Sequence, residues 1–316
     1  MDPLSDVLRA VRLTAAYFYR VDAAAPWSSL LLAAQELTPR VLPGAEHLIS
    51  YHILITGRCW GGLHDARQVL LSPGDVIVFP HGDAHLMSSD EGLRVGMDVY
   101  GTSPERYPAT VLLGAEGRRD TTIICGFLGC DARPYNPLLA SLPRCIHLQG
   151  LTDGWLADFP KQVVAESRLS QLGGDTILTR MAELMFIECL RRHVTAASPE
   201  QSGWFAGLRD PVVGPALVEL HARPAHPWTL AELARAIATS RTVLAERFTR
   251  RVGVPPMQYL TQWRLQLAAE QLARGSSKVA AVAAKVGYES ETAFSRAFKR
   301  ATTQSPAEWR RTRRAV

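Results

Sequence analysis

The sequence predicts an α+β protein of two domains: an N-terminal β-barrel or jelly roll with a helical appendage, then an all-α domain. Three observations predict this. A chain of 316 residues is long enough for two domains. Short strand-like stretches bounded by Gly, Pro and Asp lie between residues 48 and 129. Beyond residue 208, a helical segment is repeated after fifty residues.

The strand-like stretches are "LISYHILITG", "RQVLLSPGDVIVFP", "LRVGMDVY" and "TTIICGFLG". Each is rich in β-branched or aromatic residues and is followed by turn residues. Many short antiparallel strands of this kind predict a barrel or jelly roll. We therefore assign residues 1–150 to a β domain.

The helical appendage is predicted from residues 155–195, where Gly173 and Gly174 separate two helical patterns. The second pattern carries an apolar stripe at helical spacing, formed by Ile177, Met181, Leu184, Met185, Glu188 and Cys189. Such a stripe belongs either to a core or to a dimer surface. Residues 151–195 are a candidate dimerisation segment, and the small polar residues of 196–207 predict a linker.

The all-α domain is predicted from the repeat. "SRTVLAERFTRRVGVPPMQY", which begins at Ser240, is echoed by "SETAFSRAFKRATTQSPAEW", which begins at Ser290. In the second copy Phe294 and Phe298 share one helix face, so that face packs and another stays free. Each serine can cap a helix, and the preceding Ala-rich segment ends at Gly287. Two short helices joined by a tight turn outline a helix-turn-helix.

A connecting helix is predicted between the copies, in "PPMQYLTQWRLQLAAEQLARG", which begins with prolines and ends at Gly275. Its length of roughly 27 Å is near the separation of about 34 Å between successive major grooves on one face of B-DNA. The earlier helix of each copy is expected to match at the same interval, Ala231 and Ala234 with Ala281 and Ala284.

The charge is divided between the two parts of the chain. Residues 207–316 hold 18 Lys plus Arg and 8 Asp plus Glu, a net of +10, whereas residues 1–206 hold 17 and 22, a net of −5. A basic excess confined to one third of the chain is expected of a phosphate-binding module. A solvated basic face is the alternative, which two helix-turn-helix copies disfavour.

Residues 208–314 resemble the DNA-binding domain of the AraC/XylS family of transcription regulators, which has two helix-turn-helix units on a linking helix. The resemblance rests on "GYESETAFSRAFKR" and "SPAEWR". It departs at Thr303, where the family usually has glycine and where the first copy has Gly253. We therefore assign residues 208–316 to a double helix-turn-helix domain.

The candidate base-reading residues lie near the start of each recognition helix, because its first turns enter the major groove. They are Arg241, Thr242, Ala245 and Glu246 in the first copy and Glu291, Thr292, Ser295 and Arg296 in the second. Arg296 is the strongest candidate, because arginine can donate two parallel hydrogen bonds to guanine. The family resemblance also implies a DNA-contacting arginine there. The candidate phosphate contacts are Ser240, Arg250, Ser290, Lys299 and Arg300.

The stretch "GDVIVFPHGDAH" resembles the second cupin motif, through the spacing of Gly74, Pro80, Gly82 and His85. It is similar to the cupin-type sensory domain of part of the AraC family. Cupin enzymes hold a metal with two histidines and a carboxylate from an earlier strand, but Ser50 and His52 stand where a His-x-His pair is needed. We therefore expect no metal and no cofactor, and we take His52 and His85 as candidate pocket residues.

The five cysteines are an odd number and predict no disulfide framework. Cys125 and Cys130 are candidate redox sensors, a role that requires an exposed, electropositive setting. The alternative is packing as small buried residues, which we also expect of Cys189.

Together these features predict a sequence-specific transcription regulator, not an enzyme, that responds to a small-molecule or redox signal through its cupin-like domain. The expected partners are double-stranded promoter DNA, an effector, RNA polymerase and a second copy of the chain. The alternatives are a cupin-type metal enzyme with an attached DNA-binding domain and a nonspecific architectural DNA binder. "MDPLSDVLRAVRL" has no signal-peptide pattern and no apolar run could span a bilayer, so we expect a cytoplasmic protein.

Overall fold

The computed structural model describes residues 2–314 except 11–12, 95, 98–108, 131–133, 151–157, 170–171 and 197–202. The chain divides into two compact units. The β unit contains Leu13–Asp131 and Leu142–Ala196, and the α unit contains Met1–Arg12, Ala132–Ser141 and Ala197–Val316. Half of the predicted linker, residues 197–202, lies outside the described residues.

Two sheets form the β unit. The strands of the larger sheet are β1 (Leu13–Ala24), β3 (His47–Thr56), β6 (Val76–Phe79), β9 (Ala109–Gly114), β10 (Thr121–Cys130) and β11 (Ile146–Leu148), in the order β11-β6-β3-β10-β1-β9. Those of the smaller sheet are β2 (Ser28–Leu31), β4 (Cys59–Leu63), β5 (Val69–Leu71), β7 (His85–Ser88) and β8 (Gly96–Met97), in the order β5-β4-β7-β2-β8. The strand-rich prediction for this part of the chain is confirmed.

Most strand pairs are antiparallel, and in the central pair of the larger sheet Cys125 on β10 lies opposite His52 on β3. Among the described strands, two pairs are parallel, β1 with β9 and β2 with β8, so the antiparallel pairing expected from the sequence does not extend to one edge of each sheet. The reason is topological. In the larger sheet β1 lies between β9 and β10, and in the smaller sheet β2 lies between β7 and β8. The inserted strand is antiparallel to one of its neighbours and parallel to the neighbour at the sheet edge.

Three helices accompany the sheets in the described part of this unit: α2 (Ala34–Val41), α4 (Phe159–Leu169) and α5 (Gly174–Ala196). The predicted break is present, since Gly173 has φ +86° and α5 begins at the next residue. The predicted stripe on α5 divides between two faces. Met185 and Cys189 are buried, whereas Ile177 is 46% exposed and Leu184 is 55% exposed. Part of the stripe therefore belongs to the core and part to the surface.

The α unit consists of ten helices among its described residues: α1 (Pro3–Ala10), α3 (Pro137–Ser141), α6 (Trp204–Arg209), α7 (Val213–Ala222), α8 (Leu230–Ala236), α9 (Arg241–Val252), α10 (Pro256–Arg274), α11 (Val279–Lys285), α12 (Glu291–Thr302) and α13 (Pro306–Arg314). The predicted connecting helix is α10, and it ends before Gly275 as expected. Within the described residues, no helix has the length and apolar character needed to cross a membrane.

Helix α10 takes part in the packing of both helix-turn-helix units. Tyr259 near its start lies 5.7 Å from Phe248 of α9, measured between ring centroids. Leu265 and Leu272 in its second half pack in one cluster with Phe294 and Phe298. One continuous helix therefore joins the two units.

Helices α1 and α3 join this unit from the other half of the sequence. The side chain of Gln266 on α10 is 2% exposed. Its Nε2 donates to the carbonyl oxygen of Ala10 at 3.1 Å, and its Oε1 accepts from the backbone N–H of Tyr135 at 3.2 Å. These contacts join residues more than 130 positions apart, so no local sequence pattern predicts them.

Candidate nucleic-acid interface and barrel sites

The two helix-turn-helix units are α8 with α9 and α11 with α12. Ser240 accepts a hydrogen bond from the backbone N–H of Val243 at 3.2 Å, and Ser290 accepts one from Ala293 at 3.3 Å. Both serines therefore cap recognition helices, as predicted. The pattern of buried and exposed residues is identical over 241–250 and 291–300.

The turns show where the repeat departs from a fifty-residue interval. The N–H of Thr239 donates to the carbonyl of Ala234 at 2.9 Å, and the N–H of Tyr288 donates to that of Ala283 at 2.9 Å. Ala234 is thus equivalent to Ala283, and the earlier helices match at 49 residues, not 50. The second turn contains one additional residue. An Ala-rich segment does not reveal such an insertion, because its neighbouring alanines are interchangeable in sequence.

The candidate base-reading residues lie on the free face of their helices. Arg241, Thr242, Glu246, Thr292 and Arg296 are exposed and Ser295 is half-buried, whereas Leu244, Phe248, Phe294 and Phe298 form the packed face. No ion pair within the described residues involves Arg296. Its guanidinium is therefore available to a ligand outside the chain.

The candidate phosphate contacts lie beside them. Arg250, Lys299 and Arg300 are exposed in the last turns of α9 and α12. The hydroxyls of Ser240 and Ser290 accept the capping hydrogen bonds, which leaves each O–H as a donor. All five groups can donate to an anion.

A buried carboxylate that the sequence analysis missed orients the first recognition helix. The side chain of Asp210 is 1% exposed and lies 2.9 Å from Nε of Arg247 and 3.3 Å from Nε of Arg251, both on α9. It also accepts the backbone N–H groups of Val212 and Val213 at the start of α7. Burial opposes ionisation, but these donors outweigh it and hold the pKa of Asp210 below its ordinary value.

The second recognition helix has no equivalent of this pair, because Ala297 and Ala301 stand where the first has Arg247 and Arg251. The only sequence signal was two arginines at i and i+4 spacing on α9. Their partner is 37 and 41 residues away, which places it beyond any local pattern. Through Asp210, Arg247 and Arg251 therefore fix α9 to the start of α7.

In the β unit, His52 and His85 contact each other. Their Nε2 atoms are 2.8 Å apart, Nδ1 of His85 lies 2.8 Å from the carbonyl oxygen of Asp83, and the ring of Phe79 stacks on His85. Since His85 Nδ1–H donates to that carbonyl, His52 Nε2–H donates to His85 Nε2. Burial lowers the pKa of both, that of His85 to about 4. The geometry is that of two neutral, hydrogen-bonded core side chains.

Within the described ranges, no group of three or more His, Cys, Asp and Glu side chains is arranged to hold a metal ion. Cys125 is 3% exposed and Cys130 is 1% exposed. This burial matches the packing alternative and not the exposed setting that a redox sensor requires. Burial also raises the pKa of Cys145 to about 11 and that of Cys189 to about 12, which disfavours reactive thiolates.

A polar cavity of about 680 Å³ lies at one rim of the β unit, and neither His52 nor His85 lines it. Its lining includes Glu46, His47, His64, Asp65, His81, Asp83 and Arg144. Arg144 lies 3.1 Å from Asp65 and 2.7 Å from Asp83, which joins two loops across the cavity. A volume of this size suits a small molecule.

Comparison with known proteins agrees with both units. Residues 2–195 match a family described as Cupin, and residues 233–312 match one described as Helix-turn-helix domain. A putative AraC-like transcription regulator of Streptomyces antibioticus is 32% identical over 98% of this chain and 99% of its own. The HTH-type transcriptional regulator AlkR of Acinetobacter baylyi is 30% identical over 98% of this chain and 99% of its own.

Among solved structures, ToxT of Vibrio cholerae aligns with 98% of this chain and all of its own, at 11% identity and a TM-score of 0.37. The family matches and the full-length relatives decide the assignment. The chain belongs to the AraC-like transcription regulators, and in it a DNA-binding helix-turn-helix domain follows an N-terminal cupin domain.

Proposed function

We propose that this regulator reads promoter DNA with both recognition helices, α9 and α12, placed in neighbouring segments of the major groove. The observation that supports this most directly is the identical exposure pattern of residues 241–250 and 291–300. Helix α10, with 19 residues, spans about 28 Å between the two units. That length is compatible with groove segments one helical turn apart, about 34 Å.

In this proposal Arg296 is the principal base reader, because it is exposed near the start of α12 and can donate two parallel hydrogen bonds to guanine. Thr292 and Ser295 share its face of the helix, and Arg241, Thr242 and Glu246 occupy the corresponding face of α9. The phosphate contacts are Ser240, Arg250, Ser290, Lys299 and Arg300. These groups position the protein without reading sequence.

The test is selection of bound sites from a random duplex library at one fixed salt concentration, with wild type, Arg296→Ala and Arg300→Ala. Wild type is expected to enrich two base clusters. Arg296→Ala should lose information at one position, with a discrimination loss of about 1 to 3 kcal/mol. Arg300→Ala, the matched control, should weaken all sequences alike and reduce the salt slope by about 1. If wild type binds duplex but enriches nothing, sequence-specific reading is wrong.

We also propose that the polar cavity of the β unit binds the effector. Support comes from its size and from the ion pairs of Arg144 with Asp65 and Asp83, which an entering molecule would rearrange. The test is a promoter-reporter assay with Asp83→Asn, which weakens the pairing. We expect altered regulation in cells with unchanged affinity for operator DNA in vitro. Unaltered regulation would place the effector elsewhere.

For the partners, we propose a homodimer formed through the exposed face of α5, where Ile177, Met181 and Leu184 follow one another at helical spacing. Leu184→Glu should lower the dimer fraction in sedimentation velocity, whereas Gln162→Glu, at an exposed position of α4 outside this face, serves as the control. An unchanged dimer would exclude this face. RNA polymerase is the further proposed partner, and the relatives named above are regulators, which supports a role without catalysis.

A further inference from the structure

The loop between α7 and α8, residues 223–229, is held by one side chain of the connecting helix. Nε of Arg264 on α10 donates to the carbonyl oxygen of Pro224 at 2.6 Å, and Nη2 donates to that of His226 at 2.7 Å. A guanidinium presents these donors in a rigid, planar fork. Arg264 therefore fixes two carbonyls of the loop relative to α10.

The loop is also stiffened from within. Nε1 of Trp228 donates to the carbonyl of Arg223 at 3.2 Å, and the guanidinium of Arg223 lies 4.6 Å from the centre of the Trp228 ring. Nε2 of His226 lies 2.7 Å from a carboxylate oxygen of Glu232 on α8. The loop is therefore held together internally and is fixed to α8 of the first helix-turn-helix unit.

The same loop touches the turn of the second unit. A Cβ at Gly287 would lie 2.6 Å from the carbonyl oxygen of Ala225 and 2.8 Å from its Cα. Such distances exclude any side chain, so the backbone of the loop lies directly against the turn between α11 and α12. Glycine at this position serves both its φ of +89° and this close approach.

The two helix-turn-helix units are therefore joined twice. Helix α10 alone would leave bending and twisting between them, because a long helix bends over its length. The contact of the loop with Gly287 lies off the helix axis and opposes both motions. Arg264 keeps the loop in position for that contact.

We propose that Arg264 is a positioning residue that sets the relative orientation of α9 and α12, and with it the spacing of the two base clusters that an operator must present. This inference rests on the proposed reading of DNA by both helices. One inserted base pair moves the second cluster by about 3.4 Å and rotates it by roughly 34° about the duplex. If the two helix-turn-helix units are held rigidly, α12 cannot reach the shifted and rotated cluster while α9 stays in its own groove segment. If the units can move relative to each other, both helices can bind.

The test measures affinity of the full-length protein for the selected operator and for versions with one base pair inserted or removed between the clusters. Wild type should bind the selected spacing at least about tenfold more tightly than the altered ones. Arg264→Met removes both donors and keeps the aliphatic packing. We expect the ratio of its affinities for the selected and the altered spacings to fall below roughly threefold. Arg264→Lys keeps the charge without the fork and should give an intermediate ratio.

The control is Arg274→Met, which removes a positive charge from the last turn of the same helix, where Arg274 pairs with Glu270. It should keep the wild-type ratio. If Arg264→Met and Arg264→Lys both keep the wild-type ratio, the positioning role is wrong. If Arg264→Met does not fold, Arg264→Lys decides between the two outcomes. If wild type enriches only one base cluster, the two-helix reading fails instead, and the selection experiment shows this separately.

Discussion

Replacing Thr303 by glycine should stabilise the second helix-turn-helix unit. Thr303 ends α12 with φ +65° and ψ −6°, and its N–H donates to the carbonyl of Lys299 at 2.8 Å. Gly253 ends α9 in the same way, with φ +88° and ψ −11°, and its N–H donates to Thr249 at 2.9 Å. The same left-handed cap is thus made once by glycine and once by a β-branched residue.

The magnitude follows from the two backbones. A left-handed conformation costs an L-residue about 1 to 2 kcal/mol, and β-branching places threonine at the upper end. Glycine removes this cost but gives up roughly 0.4 to 1 kcal/mol through the greater freedom of the unfolded chain. Thr303 is exposed, so little packing is lost. The net expectation is a gain of about 1 kcal/mol, or about 3 °C in Tm.

The assay is chemical denaturation of the full-length protein, in a background in which Trp27, Trp60 and Trp155 of the β unit are replaced by phenylalanine, so that tryptophan fluorescence reports the α unit. The reciprocal variant is Gly253→Thr, where a Cβ meets no other atom within 4 Å, so a loss of stability there reports the backbone alone. The reasoning is refuted if Thr303→Gly changes the free energy of unfolding by less than about 0.3 kcal/mol while Gly253→Thr is clearly destabilising.

Two further predictions concern buried charge. Asp210→Asn leaves Arg247 and Arg251 without their carboxylate. We expect the free energy of unfolding, measured by urea denaturation, to fall by about 2 kcal/mol, and operator binding to weaken. Unchanged stability would contradict the stabilising role of these buried ion pairs. His85 is neutral when folded but has a pKa near 6.5 when unfolded, so unfolding takes up a proton below that pH. Between pH 6.5 and pH 5 the free energy of unfolding of the β unit should therefore fall by up to about 1.4 kcal/mol per pH unit for this histidine. His85→Gln should reduce the slope of unfolding free energy against pH. An unchanged slope would contradict the neutral state of His85 in the folded protein.

The sequence by itself determined the elements whose signals are local. Ser240 and Ser290 cap the helices that follow them, the apolar positions of α12 repeat at helical spacing, and β3 and β10 are rich in β-branched and other apolar residues. Each of these signals lies within a few residues of the structure it specifies. The charge division and the repeat then made a DNA-binding regulator the leading prediction.

Only the tertiary structure decided which distant residues meet. It showed that the turn of the second unit has one residue more than that of the first, that Asp210 holds two arginines of α9, and that Gln266 joins segments from the start and middle of the chain. It also divided the α5 stripe between core and surface. Apart from the turn, whose backbone hydrogen bonds join residues five positions apart, these features depend on residues tens to hundreds of positions apart. Local propensity carries no information about such pairs, because they come together only when the helices and sheets pack.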